Sequence, residues 1–344
     1  MKQLTLGKYP YTYARVSVMR SFLLAKDDYH KLLKMSLNEI ISFLQNSDYK
    51  RAIDEFGVKY SGVELMEMAL NKHLVNTWNK LKSISTKELG ILIDKYLERA
   101  DLWNIKTVLR GLHTGTSQEV VASMLIPAGQ LSSQKLEALI KSDSIEDFLK
   151  KLGVIRIKFE SLGSAFEAFK SKNTIVGIEN FFDREYYNRL SKFSKSIPSE
   201  GKLFKQFLEA EIENVNIINI LRLKRAGMDK REAQAYIIGK PSALVKKIIA
   251  AENKEETAKL LSQKVSEQAL RNFTNNNSIV GVEIDFGKNL LNKTRLLLHQ
   301  HPLTVDVILG YMFAKEIEVK NLKMLLKSRQ LSLSDEFIEQ QILI

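Results

Sequence analysis

Apolar positions recur at threes and fours over long stretches of this chain. Between residues 64 and 82, Leu65, Met68, Ala69, Val75, Trp78 and Leu81 fall on one stripe, the spacing of an amphipathic helix. Residues 86–112, 203–226 and 303–327 predict three longer helices, each burying one stripe and leaving Lys and Glu outside. The pattern breaks at Gly111–Gly115, Pro127–Gly129, Pro198–Gly201, Gly239–Pro241 and across "NFTNNNS" (272–278), where Gly, Pro and Asn favour turns. The short "IVG" pieces at 175–177 and 279–281 read as helix entries or turns rather than strands. An all-α protein is expected.

One mixed polar and apolar frame occurs three times. "DLWNIKTVLR" (101–110), "ENVNIINILR" (213–222) and "EVKNLKMLLK" (318–327) share an acid, two residues, Asn, an aliphatic residue, three residues, Leu and a basic residue. Asp101, Glu213 and Glu318 hold one place in it. Asn104, Asn216 and Asn321 hold a second, and Arg110, Arg222 and Lys327 a third. Ahead of each copy stands a Gly-aliphatic-Glu element carrying Glu64, Glu179 or Glu283, followed by "LNK" (70–72), "YNR" (187–189) or "LNK" (291–293). Further upstream, "SLNEIISFL" (36–44), "SIEDFLKKL" (144–152) and "NKEETAKLL" (253–261) each begin with Ser or Asn and place an acid three residues on. This is a capping-box-like helix start, in which a side-chain oxygen takes an orphan amide.

The period, about 105–110 residues, is too long for helical-hairpin solenoids of roughly 34–47 residues and suits three small domains. The expected repeats are 36–143, 144–252 and a truncated 253–344. The first two continue past the motif into two helix-like stretches, and the third stops after one. A helix over 11–34 precedes the first repeat and has no counterpart. Residues 1–35 are therefore expected to fill the place left empty at the end of the third repeat.

Composition adds constraints. Glycine (16) and proline (5) are scarce among 344 residues, which agrees with helices. Cysteine is absent, so disulfides, thiolate zinc sites and cysteine nucleophiles are excluded. No apolar run reaches the roughly 18–20 residues that span a bilayer, and Lys8 and Arg15 interrupt any signal-peptide core. A soluble or peripherally attached protein is expected. The net charge of +12 is spread along the chain with no polybasic tail, so a solvated basic surface is the plainer reading and attraction to an acidic partner the other.

Candidate chemistry is sparse. The thrice-used polar residues suit either a partner-facing site or, more simply, buried polar groups that satisfy helix ends and link neighbouring helices. In the sharper form of the second reading, Glu64, Glu179 and Glu283 pair with the basic end of the motif in their own repeats. His299 and His301 would project about 200° apart on a helix and read as surface or capping residues. Asp27-Asp28 and Glu255-Glu256 read as helix-start acids. Aromatics from Phe166 to Tyr187 have the spacing of a helix core. No phosphate loop, dinucleotide fingerprint, nucleophile elbow or zinc-protease motif is present.

"YLERADLWNIKTVLRG" (96–111), "YTYARVSVMRSFLLAKDDYHKLLKM" (11–35) and "SGVELMEMALNKHL" (61–74) resemble the C subunit of archaeal A-type ATP synthases. That family includes the C subunit of bacterial V/A-type enzymes and the d subunit of vacuolar ATPases. The resemblance spans nearly the whole chain and is most specific in its first 115 residues. It implies three homologous helical subdomains in a pseudo-threefold, funnel-shaped arrangement. It implies a non-catalytic adaptor in a proton- or sodium-translocating rotary ATPase, linking the central stalk to the membrane rotor ring and transmitting torque for ATP synthesis or ion pumping. One copy per complex is expected, peripheral at the cytoplasmic face of the cell membrane, with no cofactor, metal or nucleic acid. Arg15 and Arg20 on the first helix are partner-binding candidates. The alternative is a helical-repeat scaffold binding RNA or an acidic protein, whose affinity would fall steeply with salt.

Overall fold

The structure, a computed structural model, describes residues 7–155, 163–198, 201–227 and 230–344, and every regular element among them is an α-helix. The chain forms two compact units. Residues up to Lys34, which belong to the unit holding the C-terminal half, carry α1 (Pro10–Arg20) and α2 (Lys26–Leu32). The expected single helix over 11–34 is thus broken. Phe22 and Leu23 turn back with tight amide bonds to Met19 and Arg20, and the Ala25 amide is taken by the Asp28 carboxylate at 2.9 Å. The Asp28 acid, three residues after the cap position, restarts the helix there.

The unit of residues 35–186 (with 329–331) contains α3 (Leu37–Gln45), α4 (Lys50–Phe56), α5 (Gly62–Ser83), α6 (Lys87–Thr114), α7 (Gln118–Ser123), α8 (Ser133–Ile140), α9 (Ile145–Ile155), α10 (Gly163–Lys172) and the first half of α11 (Val176–Ser194). The other unit continues with the rest of α11, α12 (Lys202–Arg225), α13 (Lys230–Ala235), α14 (Ala243–Ala250), α15 (Lys254–Leu261), α16 (Glu267–Asn276), α17 (Val280–His299), α18 (Val305–Gln330) and α19 (Asp335–Gln341). The three long helices fall where the apolar stripes place them, and both "IVG" pieces open helices.

Helix starts follow the capping logic. Ser36 Oγ accepts the Glu39 amide while Glu39 accepts the Ser36 amide at 2.7 Å, a complete capping box. Ser144 and Asn253 cap Asp147 and Glu256 in the same way. There the acid reaches one residue further back, to the amides of Asp143 and Glu252. At its other end α6 stops at Gly115, whose φ of 68° is the left-handed conformation that glycine adopts without a Cβ clash.

Two hydrophobic cores share one plan. In the first, Ile105, Val108 and Leu109 of α6 meet Val121 of α7, Leu136 and Leu139 of α8, Phe148 and Leu152 of α9, and Ile178 and Phe182 of α11. In the second, Ile217, Ile220 and Leu221 of α12 meet Val245 and Ile248 of α14, Leu261 of α15, Phe273 of α16, and Val282 and Phe286 of α17. Each core therefore joins the motif helix of one sequence repeat to the leading helices of the next. Truncating a buried aromatic removes transfer energy and leaves a cavity. Phe182→Ala and Phe286→Ala, at matching places in the two cores, are each expected to cost about 3–5 kcal/mol, read as a shift of the urea unfolding midpoint with little change in slope.

Candidate functional site

The three motif asparagines do the same thing. Asn104 Nδ2 donates to the Ile126 carbonyl at 2.8 Å, and its Oδ1 accepts the Ile126 amide at 2.8 Å. Asn216 forms the same pair with Ile238 at 3.0 and 2.8 Å. Asn321 forms it with Leu343 at 2.7 and 3.0 Å. All three side chains are buried, and the partner lies 22 residues downstream each time. A carboxamide has the donor and acceptor of a peptide group, so it pairs with one as a neighbouring β-strand would. The chain returning past α7, α13 or α19 thereby satisfies its backbone inside a helical protein that offers it no other strand.

The motif acids make three different sets of contacts. Asp101 accepts the amides of Gln130 at 2.8 Å and Leu131 at 2.9 Å, directly ahead of the Ser132 cap of α8. The approach is close enough that a Cβ on Gly129 would overlap the carboxylate. Glu213 bonds the Lys264 ammonium and the side chain of Ser242, which caps α14. Burial pushes the Glu213 carboxyl up, but the two hydrogen bonds and the lysine charge prevail and leave it below the usual range. Glu318 accepts the Leu24 amide at 2.6 Å with one oxygen and the Lys315 ammonium at 2.8 Å with the other. Both members of that ion pair are buried.

Arg110 and Arg222 pair outside their own sequence repeats. Arg110 Nε meets Glu179 at 2.5 Å, and Arg222 meets Glu283 at 2.8 Å. In each case the acid belongs to the following repeat, so the expected pairing is corrected by one repeat. The cause is the staggered core: α12 packs along α17, and α6 presents Lys106 and Arg110 to Asp183 and Glu179 of α11. Lys106 and Asp183 are 2.9 Å apart and largely buried. Burial raises the Asp183 carboxyl against the opposing pull of Lys106. At the second junction the equivalent places hold Ile218 and Gly287, and Ile218 packs against the core instead.

The remaining candidates resolve into structure. His301 Nδ1 lies 3.0 Å from the buried Asp306 carboxylate, which also accepts the Phe204 amide. Asp28 and Glu256 act at helix starts. Phe166 and Phe182 lie in the first core, with Phe169 and Phe181 packed on it. Arg20 donates to the Leu298 carbonyl at 2.9 Å, while Arg15 is exposed. Glu64 stands in the first turn of α5, as Glu179 and Glu283 do in α11 and α17. The hook partners Ile126, Ile238 and Leu343 lie outside the repeated frame that the sequence displays. Their signal is an aliphatic pair at a fixed distance after each motif Asn: "LI" (125–126), "II" (237–238) and "IL" (342–343).

Replacing Asn104 by Asp keeps the acceptor for Ile126 N but loses the donor and sets a carboxylate against a carbonyl. At pH 7 this is expected to cost about 3 kcal/mol. Burial raises the new group's folded-state pKa, so the penalty is full above that value and shrinks as pH falls toward the unfolded carboxylate pKa. Urea melts at neutral and mildly acidic pH check the recovery. Lys106→Ala strands a half-buried carboxylate and is expected to cost about 2 kcal/mol. Arg110→Ala, at an exposed guanidinium, costs under about 1 kcal/mol. Thermal unfolding of the two variants side by side tests the order.

Comparison with known proteins finds similarity along nearly the whole chain. Residues 12–341 match the family described as ATP synthase (C/AC39) subunit. The A-type ATP synthase C subunit of Haloquadratum walsbyi is 33% identical over 340 residues, covering 97% of each chain. That of Haloferax volcanii is 32% identical, again over 97% of each. That of Methanosarcina mazei is 34% identical over 98% of this chain and 93% of its own. With the family match running over residues 12–341 and relatives 33–34% identical along 97–98% of this chain, the chain belongs to the ATP synthase (C/AC39) subunit family.

Proposed function

We propose that this protein is a non-catalytic subunit of a rotary A-type ATP synthase, linking the central stalk to the membrane rotor ring and passing torque between them. The match over residues 12–341, with relatives named as the C subunit of A-type ATP synthases, carries the reading. The interior chemistry supports it. An adaptor under torque needs stiffness and matching surfaces. Buried two-point hooks hold the motif helix of each repeat to the chain that follows it, so the two resist sliding past one another. The coupled ion is a proton or sodium ion moved by other subunits, and the adaptor sits in one copy at the cytoplasmic face. No helix among the described residues is long and apolar enough to cross a membrane.

The clefts beside the repeated asparagine contacts differ in chemistry. Beside the second hook lies a cleft of about 720 Å³ bordered by Lys192, Lys195, Lys240 and Lys293 and by Glu209 and Glu213. A cleft beside the first hook, about 500 Å³, is bordered by Asn71, Asn76 and Asn79 with one lysine, Lys72, and one glutamate, Glu137. Repeats that share the asparagine contact and differ in the clefts beside it suit docking to unlike neighbours. Arg15, exposed on α1, is our candidate for such a contact.

Capture of the tagged chain from detergent-solubilised membranes of its own cell, with partners identified by mass spectrometry, tests the assignment. Central-stalk and rotor-ring subunits are expected. Their absence, with RNA or ribonucleoprotein recovered instead, overturns it.

A further inference from the structure

Among the described residues the first and second repeats contain six helices each, α3 to α8 and α9 to α14, while the third contains five, α15 to α19. The missing one corresponds to α8 and α14. We propose that α2 supplies it from the other end of the chain, so that the N-terminal segment is a strap that closes the third repeat.

Four independent features support this. The first is the capture of the helix entry. In the first repeat Asp101 accepts the amide of Leu131, one residue before the Ser132 cap of α8. In the third, Glu318 accepts the amide of Leu24, one residue before the Ala25 cap of α2. The same motif position thus holds the same backbone position, across 294 residues of chain.

The second is the buried face. In α8, Leu136, Leu139 and Ile140 are buried, four, seven and eight residues after the cap. In the α2 segment, Tyr29, Leu32 and Leu33 are buried at the same three offsets. In α14 the face is shifted by one residue, to Val245, Ile248 and Ile249. The third is the exit: Ala25 to Ser36, Ser132 to Ser144 and Ser242 to Asn253 all separate one cap from the next by eleven or twelve residues.

The fourth is contact with the hook itself. The Tyr29 hydroxyl is hydrogen-bonded to the Asn321 side chain, and burial, aided by the Glu318 charge, pushes its ionisation far up. This leaves α1 as the one element among the described helices outside the threefold scheme. It ties the strap down at both ends, through the Tyr9 amide to the Leu303 carbonyl at 2.7 Å and Arg20 to Leu298.

Chain continuity gives the opposing view, in which α2 is simply the first helix before α3. Hydrogen exchange of the full chain separates the two. Leu24→Pro removes the amide that Glu318 accepts, together with a partly buried side chain, and leaves the buried Lys315–Glu318 pair in place, while Leu24→Ala, which keeps the amide, is the control for the side chain. Glu318→Gln weakens the same contact from the other side and also takes the carboxylate charge from the buried Lys315 ammonium, so Leu24→Pro, which spares that pair, is the deciding variant. For Leu24→Pro and for Glu318→Gln, amides of α2 and of residues 335–343 are expected to exchange about tenfold faster or more. Those of α3, α8 and α14 are expected to stay unchanged. Unchanged exchange in α2, or faster exchange shared by α2 and α3 with residues 335–343 unaffected, would overturn the proposal. Because the readout is internal to the chain, it is independent of the rotary assignment.

Discussion

The structure depends on a carboxamide that stands in for a strand. Each long motif helix must hold a returning segment whose backbone leaves the interior of one helix before entering the next. The bonds to that backbone are buried at Ile238 and Leu343 and partly buried at Ile126, and an unpaired buried N–H or C=O costs on the order of 1–3 kcal/mol. Asn104, Asn216 and Asn321 each satisfy one such group in both directions at once. Asp has the shape but lacks the donor, and Gln is a methylene too long for the same geometry. The chemical identity of the residue is therefore dictated by its partner, a peptide bond.

The helices and their threefold recurrence are legible in the sequence, because apolar spacing and caps are local. Ser36, Ser144 and Asn253 cap their helices as their neighbours indicate. Pairings set by tertiary contact are less legible. Spacing points the basic ends of the motif to acids of their own repeats, whereas Arg110 and Arg222 bind acids of the next. The break in the first helix is hidden in the same way: its apolar stripe runs on, and only the Leu24 amide's distant acceptor and the Asp28 cap reveal the interruption.

The charged residues divide by depth. At the first junction Lys106 and Asp183 are shielded and Arg110 is not, so two ion pairs one helical turn apart differ in how much each holds. At the second junction an aliphatic residue and a glycine replace the inner pair, and only the outer one remains. The two junctions reach the same helix pairing by different means, as expected when a buried ion pair and a well-packed apolar contact are close in free energy.

The stagger between sequence repeat and hydrophobic core has a further consequence. A polypeptide of one repeat would end in half a core on either side, with the motif helix lacking the partners that Phe182 and Phe286 provide. Such a piece completes itself only against copies of itself, each lending its leading helices to its neighbour. The tandem chain is in this sense an oligomer whose protomers have been joined end to end. Its junctions take the place of subunit interfaces, and being within one chain they need not be alike.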